Sequence, residues 1–235
     1  MAKKTLALFS GGKDSMYALQ WALANSNLDL IVSIKDVDGS AHFHAGPEAD
    51  NLLRQTQSRL MGLPFREVET REENYMRDAF LGLKEIVDLE NIDQMITGDL
   101  WLPYTRGAGD MLAGILGIEV IRPCRHLCPS KAEAQKYMRQ VLDSGIESIV
   151  YSVRRGKLPR SFIGRAINQT FLEEMARRNV DAAGEKSEYQ SLVITSPVMN
   201  GRIVIDSFDI HYVPGRGEND HFFRMLLKKH HVEEK

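Results

Sequence analysis

The sequence contains few cysteines and lacks a long apolar run. Its only two cysteines, Cys124 and Cys128, exclude a disulfide framework and favour an intracellular protein. No apolar stretch approaches the roughly 20 residues that a membrane-spanning helix needs. The first apolar run, at 5–9, is too short for the core of a signal peptide. We therefore expect a cytoplasmic protein that does not interact with a membrane.

Neither sign of charge is in large excess. The chain has 30 Lys and Arg against 32 Asp and Glu, and its pI is near 6.4. This balance lacks the strongly basic surface of a dedicated nucleic-acid-binding protein, so we do not expect a nucleic acid as the main partner. Of the 235 residues, 43% are hydrophobic, which is enough to form a globular core.

Short apolar runs alternate with stretches of helical periodicity over the first two thirds of the chain. The apolar runs, which predict strands, lie at 6–9, 28–34, 65–68, 95–97, 118–121 and 149–153. Such alternation is typical of parallel strands joined by right-handed crossovers, with helices on both faces of the sheet. The sequence therefore predicts a doubly wound, mostly parallel α/β domain over residues 1–153.

The pattern changes after Val153, where a basic segment rich in turn residues begins. A helix is predicted at 163–177, and strand-like runs follow at 192–195 and 202–205. The tail 221–235 is expected to form a terminal helix or a frayed end. We therefore predict a smaller C-terminal α+β subdomain over residues 154–235.

The segment Ser-Gly-Gly-Lys-Asp-Ser, from Ser10 to Ser15, lies between the first predicted strand and the first predicted helix. Its glycines allow a sharp turn, and the amides at the start of a helix can donate to phosphate. Lys13 adds a cation, whereas Asp14 would repel phosphate unless it held Mg²⁺. The spacing is not that of a Walker loop. The segment predicts a site for a magnesium-nucleotide complex, and the alternative is a helix-capping turn.

In this position the segment resembles the PP-loop of the adenine nucleotide α-hydrolases, which are ATP pyrophosphatases that adenylylate a substrate. Farther along, residues 181–193 are similar to the second signature of the diphthine-ammonia ligase family. The stretches 162–165 and 57–64 are similar to two further parts of that family's pattern, so the resemblance covers about residues 5–205. It implies a PP-loop fold and the use of ATP and Mg²⁺.

The resemblance also implies two groups of site residues. The ATP site would comprise Ser10, Gly11, Gly12, Lys13, Asp14, Ser15, His44 and Gly98, with Lys13 and Asp14 catalytic and Asp14 holding Mg²⁺. The acceptor site would comprise Gly184, Glu185, Glu188, Tyr189 and Arg165, with Glu185 and Glu188 catalytic. Carboxylates three residues apart could bind ammonium, hold a metal or act as general bases, and the alternative is a solvated loop.

Some stretches depart from the family pattern. Lys186-Ser187 stands where the family has a Gly-Gly pair, and residues 98–106 lack the family's Tyr-Gln-Arg segment. The segment 124–128, with two cysteines and one histidine, is incomplete for a closed zinc site. The departures at 98–106 and 186–187 leave the identity of the acceptor open.

By resemblance, the expected activity is that of an ATP-dependent amide ligase. Such an enzyme would adenylylate the diphthine carboxylate on elongation factor 2 and admit ammonia, releasing AMP and pyrophosphate. Elongation factor 2 and ammonium are then the expected partners, and a homodimer is left open. The alternatives are an amide ligase for a small, corrinoid-related carboxylic acid, a non-catalytic ATP-binding sensor and a tRNA-modifying enzyme.

Overall fold

The chain forms two compact units, Met1–His126 and Leu127–Lys235. The computed structural model describes residues 3–36, 48–214 and 221–235, except for the side chains of 36, 48–52, 72 and 104–108. The units divide earlier than the boundary predicted at residue 153. None of the helices in these described ranges is long and apolar enough to cross a bilayer.

The first unit alternates strands and helices. Its elements are β1 (Lys4–Leu8), α1 (Lys13–Asn25), β2 (Asn27–Asp36), α2 (Glu48–Met61), β3 (Phe65–Thr70), α3 (Tyr75–Glu90), β4 (Gln94–Ile96), α4 (Pro103–Leu116) and β5 (Glu119–Ile121), followed by α5 (Pro123–Leu127) at the boundary. The five strands form an all-parallel sheet in the order β3-β2-β1-β4-β5. The fold class predicted from the alternation is confirmed.

The core of the first unit lies along its central strands. Leu6 on β1 is opposite Leu30 on β2 and Met95 on β4, and all three side chains are buried. The order of the strands reverses at β1, because the chain runs outward to β3 and then returns to β4 on the other side. In open parallel sheets, ligands bind outside the carboxyl ends of the strands at such a reversal. The loops after β1 and β4 occupy this position.

The second unit contains an antiparallel sheet and two helices. Its elements are α6 (Ala134–Asp143), β6 (Glu147–Arg154), α7 (Gln169–Arg177), β7 (Tyr189–Thr195), β8 (Gly201–Val213) and β9 (Phe222–Glu234). The strand order is β7-β6-β9-β8, and every pairing is antiparallel. The predicted α+β character of the C-terminal part is therefore confirmed.

Two expectations about this part of the chain were wrong. The strand predicted at 149–153 is β6, which belongs to the antiparallel sheet because it pairs with β7 and β9. Its continuous apolar run indicated burial but carried no information about the direction of its partners. The tail forms β9 rather than a helix or a frayed end, since it pairs with β8 along its whole length.

Candidate functional site

The loop between β1 and α1 leads directly into the first turn of α1. Gly11 adopts a left-handed conformation with φ +80°, and Gly12 precedes the helix without a side-chain cap. The Ser15 hydroxyl donates to the Gly12 carbonyl at 3.0 Å and lies 3.1 Å from the Ser10 hydroxyl. The two serines therefore stabilise the shape of the loop, and the helix amides have the orientation that suits an anion.

Two buried polar residues of α2 support this loop. Gln57 donates from Nε2 to the Gly11 carbonyl at 3.1 Å, and a Cβ atom on Gly11 would lie 2.7 Å from Gln57 Oε1. Arg54, one turn earlier, is 3% exposed and would lie 3.3 Å from the same Cβ atom. Neither residue was predicted as part of the site, because their contacts with Gly11 depend on how α2 packs against the loop.

Lys13 and Asp14 form a partly buried ion pair at the start of α1. Lys13 Nζ lies 2.7 Å from Asp14 Oδ2, and the two side chains are 4% and 25% exposed. The lysine is thus the more deeply buried partner, whereas the carboxylate is the more accessible one. Burying an unpaired ammonium would be costly, so Asp14 stabilises the folded position of Lys13 in addition to any contact with a ligand.

The end of β4 packs directly against this helix terminus. A Cβ atom on Gly98 would lie 2.7 Å from both the Asp14 carbonyl carbon and the Ser15 nitrogen. Cys124 donates its thiol hydrogen to the Asp14 carbonyl at 3.4 Å, so this cysteine is buried behind the same turn. Among the described residues, no group of three His, Cys, Asp or Glu side chains could hold a metal ion.

Asp99, next to Gly98, was not predicted as a site residue. Burial raises the pKa of its carboxyl, and a hydrogen bond from the Thr97 hydroxyl at 2.8 Å and the nearby Arg122 oppose this rise. Arg122 also pairs with Asp110 at 2.8 Å. The carboxylate and the guanidinium therefore form a polar cluster beyond the carboxyl end of β4, in a stretch that departs from the family pattern.

The tight packing at Gly98 leads to a prediction about stability. Gly98→Ala should destabilise the protein by about 1–3 kcal/mol, because the new methyl group must displace the backbone of α1. Gly114→Ala is the matched control, since Gly114 lies in α4 with nothing within 4 Å of its Cβ position. It should stabilise the protein by about 0.5–1 kcal/mol. Denaturant unfolding measures both changes, and equal stabilities would contradict the observed packing.

In the second unit, residues 181–189 comprise two consecutive turns and the first residue of β7. Gly184 donates its backbone N–H to the Asp181 carbonyl at 3.1 Å, and Ser187 donates to the Gly184 carbonyl at 2.9 Å. The Tyr189 hydroxyl donates to the Ala182 carbonyl at 2.5 Å and joins the two ends of the segment. We call residues 181–189 the acidic turn.

Tyr189 has a structural role in the acidic turn. It is 2% exposed, and its ring packs edge-on against Phe171 at a centroid distance of 5.0 Å. Gly184 has φ +69°, and a Cβ atom there would lie 2.8 Å from the tyrosine ring. The structure thus brings Gly184 and Tyr189 together as packing partners. Direct contact of either residue with a substrate stays a prediction.

The acidic side chains of this turn differ in exposure. Glu188 is 8% exposed, and burial, followed by the charge of Asp181, raises the pKa of its carboxyl. Asp181 is 1% exposed, whereas Glu185 is half-buried and Lys186 is exposed. The two deeply buried carboxylates of the turn are therefore Asp181 and Glu188, and Asp181 was not predicted as a site residue.

Arg165 and His44 are the two remaining residues that were predicted to belong to the site. Arg165 pairs with Glu174 at 2.9 Å, and its guanidinium lies 4.3 Å from the centre of the Phe162 ring. These contacts give Arg165 a structural role on the surface of the second unit, and its contact with a substrate stays a prediction. His44 lies outside the described residues.

Ser187 offers a second test of stability. It has φ +60°, a left-handed conformation, at a position where the family pattern has glycine. This conformation costs a non-glycine residue about 1–2 kcal/mol, and the greater freedom of glycine in the unfolded chain offsets about 0.4–1 kcal/mol. Ser187→Gly should therefore raise the free energy of unfolding by about 0.5–1 kcal/mol.

Lys186→Gly is the control for this change, because Lys186 is not in the left-handed region. It should lower the free energy of unfolding, since only the unfolded chain gains freedom. Denaturant unfolding of the two variants separates the effects. A loss of stability in Ser187→Gly equal to that in Lys186→Gly would contradict the strained conformation of Ser187.

Comparison with known proteins gives matches over nearly the whole chain. The family model for the diphthamide synthase N-terminal domain matches residues 3–120, and that for the diphthamide synthase C-terminal domain matches residues 133–221. A diphthine-ammonia ligase of Homo sapiens is 23% identical over 232 residues, which cover 88% of this chain and 84% of the relative. The ligase of the same name from Mus musculus is 24% identical over 229 residues, covering 87% and 83%.

Among solved structures, an N,N'-diacetylchitobiose deacetylase from Pyrococcus horikoshii has 18% identity and a TM-score of 0.35, with 84% and 85% of the two chains covered. This likeness is too low to carry a statement about the fold. The two family models, in contrast, match consecutive parts of the chain that correspond to its two compact units. The chain therefore belongs to the diphthamide synthase family.

Proposed function

We propose that the protein is an ATP-dependent amide ligase with the activity of a diphthine-ammonia ligase. A carboxylate of diphthine on elongation factor 2 attacks the α-phosphorus of ATP, and pyrophosphate leaves. Ammonia then attacks the carbonyl carbon of the acyl-adenylate, and AMP leaves. Family membership and the ligase names of the relatives support the enzyme class. The cytoplasmic location expected from the sequence belongs to the same proposal.

One observation carries the ATP site. The loop after β1 combines two glycines, the start of α1 and a buried lysine at the reversal of the strand order. Backbone amides and the helix dipole stabilise negative charge at this position. Ser10, Gly11, Gly12, Lys13 and Ser15 would hold the phosphates. Since Gly98 packs against the first turn of α1, it would support this site by packing rather than through a side chain.

Asp14 is the residue that would hold Mg²⁺. Its carboxylate is one quarter exposed and lies beside Lys13. The start of α1 therefore offers both a carboxylate oxygen for a metal and the ammonium group of a lysine for phosphate. Mg²⁺ is usually held by one or two carboxylates together with substrate phosphates and waters, and a single aspartate fits this pattern. When bound, Mg²⁺ would neutralise charge that develops on the leaving pyrophosphate.

The acidic turn is proposed as the acceptor side. Glu185 and Glu188 would orient the incoming ammonium or accept a proton from it, and the packing of Gly184 with Tyr189 would hold the turn rigid. Arg165 is retained as a candidate for contact with the acceptor. Its pairing with Glu174 would have to loosen before it could reach a ligand.

Product analysis tests this function. The protein is incubated with ATP, Mg²⁺, ammonium chloride and elongation factor 2 that carries diphthine, and the nucleotides are separated by chromatography. AMP and pyrophosphate are expected, in amounts equal to the amide that mass spectrometry detects on the acceptor. ADP as the main product would contradict the mechanism, and amidation of a small carboxylic acid in place of elongation factor 2 would change the acceptor. ATP binding without turnover would identify a sensor.

A further inference from the structure

The segment 122–125, which follows β5, holds the loop after β4 with two arginines. Arg122 donates from Nε to Asp99 Oδ2 at 3.4 Å, and Arg125 donates from Nη1 to the Leu100 carbonyl at 2.9 Å. Two consecutive residues of the loop are therefore fixed by the same segment, one through its side chain and the other through its backbone.

The segment 122–125 also contacts the first turn of α1. The Cys124 thiol donates to the Asp14 carbonyl at 3.4 Å. Gly98, the residue before Asp99, packs so closely on the same turn that a Cβ atom there would lie 2.7 Å from the Ser15 nitrogen. Hydrogen bonds and close packing therefore form a continuous path from the segment 122–125 through the loop after β4 to the start of α1.

Arg122 links three elements through one guanidinium. Its Nε contacts Asp99 after β4, and its Nη1 lies 2.8 Å from Asp110 Oδ1 on α4. Its Nη2 would lie 2.8 Å from a Cβ atom on Gly109, so α4 approaches the guanidinium closely. The side chain is only 11% exposed, and the two carboxylates compensate for this burial. A planar guanidinium can contact both carboxylates at once, whereas an ammonium group cannot do so in the same geometry.

We propose that Arg122 is a positioning residue for ATP, which holds Asp99 and thereby fixes Gly98 against the first turn of α1 before the nucleotide binds. The amides of this turn then need little reordering when they receive the phosphates, so less of the binding free energy is lost in ordering them. The role in ATP binding rests on the proposed function. The link between Arg122 and α1 is a property of the fold itself.

Hydrogen exchange without nucleotide tests the link itself. In Arg122→Gln, Asp99 loses its guanidinium partner, so amides in the peptide 10–17 should exchange about three- to tenfold faster, while those of α3 keep the rates of the wild type. The matched control is Arg66→Gln, because the exposed Arg66 pairs with Glu90 at 3.7 Å on the surface of the same unit. This control should leave the exchange of 10–17 unchanged. Unchanged exchange of 10–17 in a folded Arg122→Gln protein would overturn the link.

Calorimetry with magnesium-ATP tests the effect on binding. Arg122→Gln should weaken the binding of ATP by about tenfold, since the first turn of α1 must then be ordered by the ligand. Arg122→Lys keeps the charge but contacts one carboxylate at a time, so it should lose only a few-fold, and it supplies the measurement if Arg122→Gln does not fold. Arg66→Gln should bind ATP like the wild type. Wild-type affinity in Arg122→Gln would overturn the positioning role.

A double variant tests whether Arg122 acts through Asp99. Asp99→Asn removes the carboxylate that Arg122→Gln leaves without its guanidinium, so the two changes together should weaken ATP binding no more than Arg122→Gln alone. Losses that multiply would show that the two residues act independently and would overturn this route. If the wild type itself binds no ATP, the role of Arg122 in binding fails with the proposed function, whereas hydrogen exchange still decides the link to α1.

Discussion

Asp14→Asn is expected to lower ATP turnover by about 10²–10³-fold, which is the usual cost of removing one group that stabilises transition-state charge. The variant keeps the size of the side chain but loses the charge that would hold Mg²⁺ beside the phosphates. It should remain folded, although the buried Lys13 loses its ion-pair partner and some stability is lost with it. Steady-state release of pyrophosphate over a range of Mg²⁺ concentrations measures the effect.

The control for this variant is Asp88→Asn, which removes an exposed carboxylate from an ion pair with Lys84 on α3. This control should stay as stable as the wild type, because exposed ion pairs of this kind contribute little to stability. Its turnover should therefore match that of the wild type. Unchanged turnover in a folded Asp14→Asn protein would remove Asp14 from the mechanism. A structure with the nucleotide bound away from the loop after β1 would remove the site itself.

Glu188→Gln is expected to reduce amide formation by about 10²–10⁴-fold, the range typical of general acid-base groups. The substitution removes the charge at nearly constant shape, and the hydrogen bond from Tyr189 to Ala182 should still hold the acidic turn. ATP affinity should stay within a few-fold of the wild type. Calorimetry with ATP and an ammonia-dependent amidation assay measure the two quantities.

The two assays on Glu188→Gln also distinguish the alternatives for the acidic turn. Loss of ATP affinity equal to the loss of amidation would place Glu188 at the nucleotide. Full amidation activity would identify the turn as a solvated or structural loop. The exposed residue changed in Glu173→Gln should affect neither measurement, which controls for the loss of one negative charge in the second unit.

The parallel sheet could be predicted from the sequence because its order depends on local patterns. Each buried strand is a short apolar run, and each helix shows its own periodicity, so β1 to β5 were recognisable one at a time. The second sheet depends on pairings between distant parts of the chain, such as β6 with β9. Neither the direction of these pairings nor the strand character of the tail is encoded in a local period.

In the candidate site too, features set by a local motif could be predicted, and features set by tertiary packing could not. The loop from Ser10 to Ser15 was identified from a contiguous motif, and the structure places it between β1 and α1, as the motif predicts. Arg54 and Gln57 were missed because their contact with Gly11 depends on the packing of α2 against the loop. The deep burial of Asp181 and Glu188 was not predicted, because it comes from tertiary packing that a sequence pattern of acids does not reveal.

An isotope measurement tests adenylylation followed by amidation most directly. The diphthine carboxylate of elongation factor 2 is labelled with ¹⁸O, and one turnover with ATP, Mg²⁺ and ammonium is analysed by mass spectrometry. If the carboxylate attacks the α-phosphorus, one labelled oxygen stays with the phosphate when AMP leaves, so the label should appear in AMP. Label in inorganic phosphate, or none in AMP while the amide forms, would contradict this mechanism.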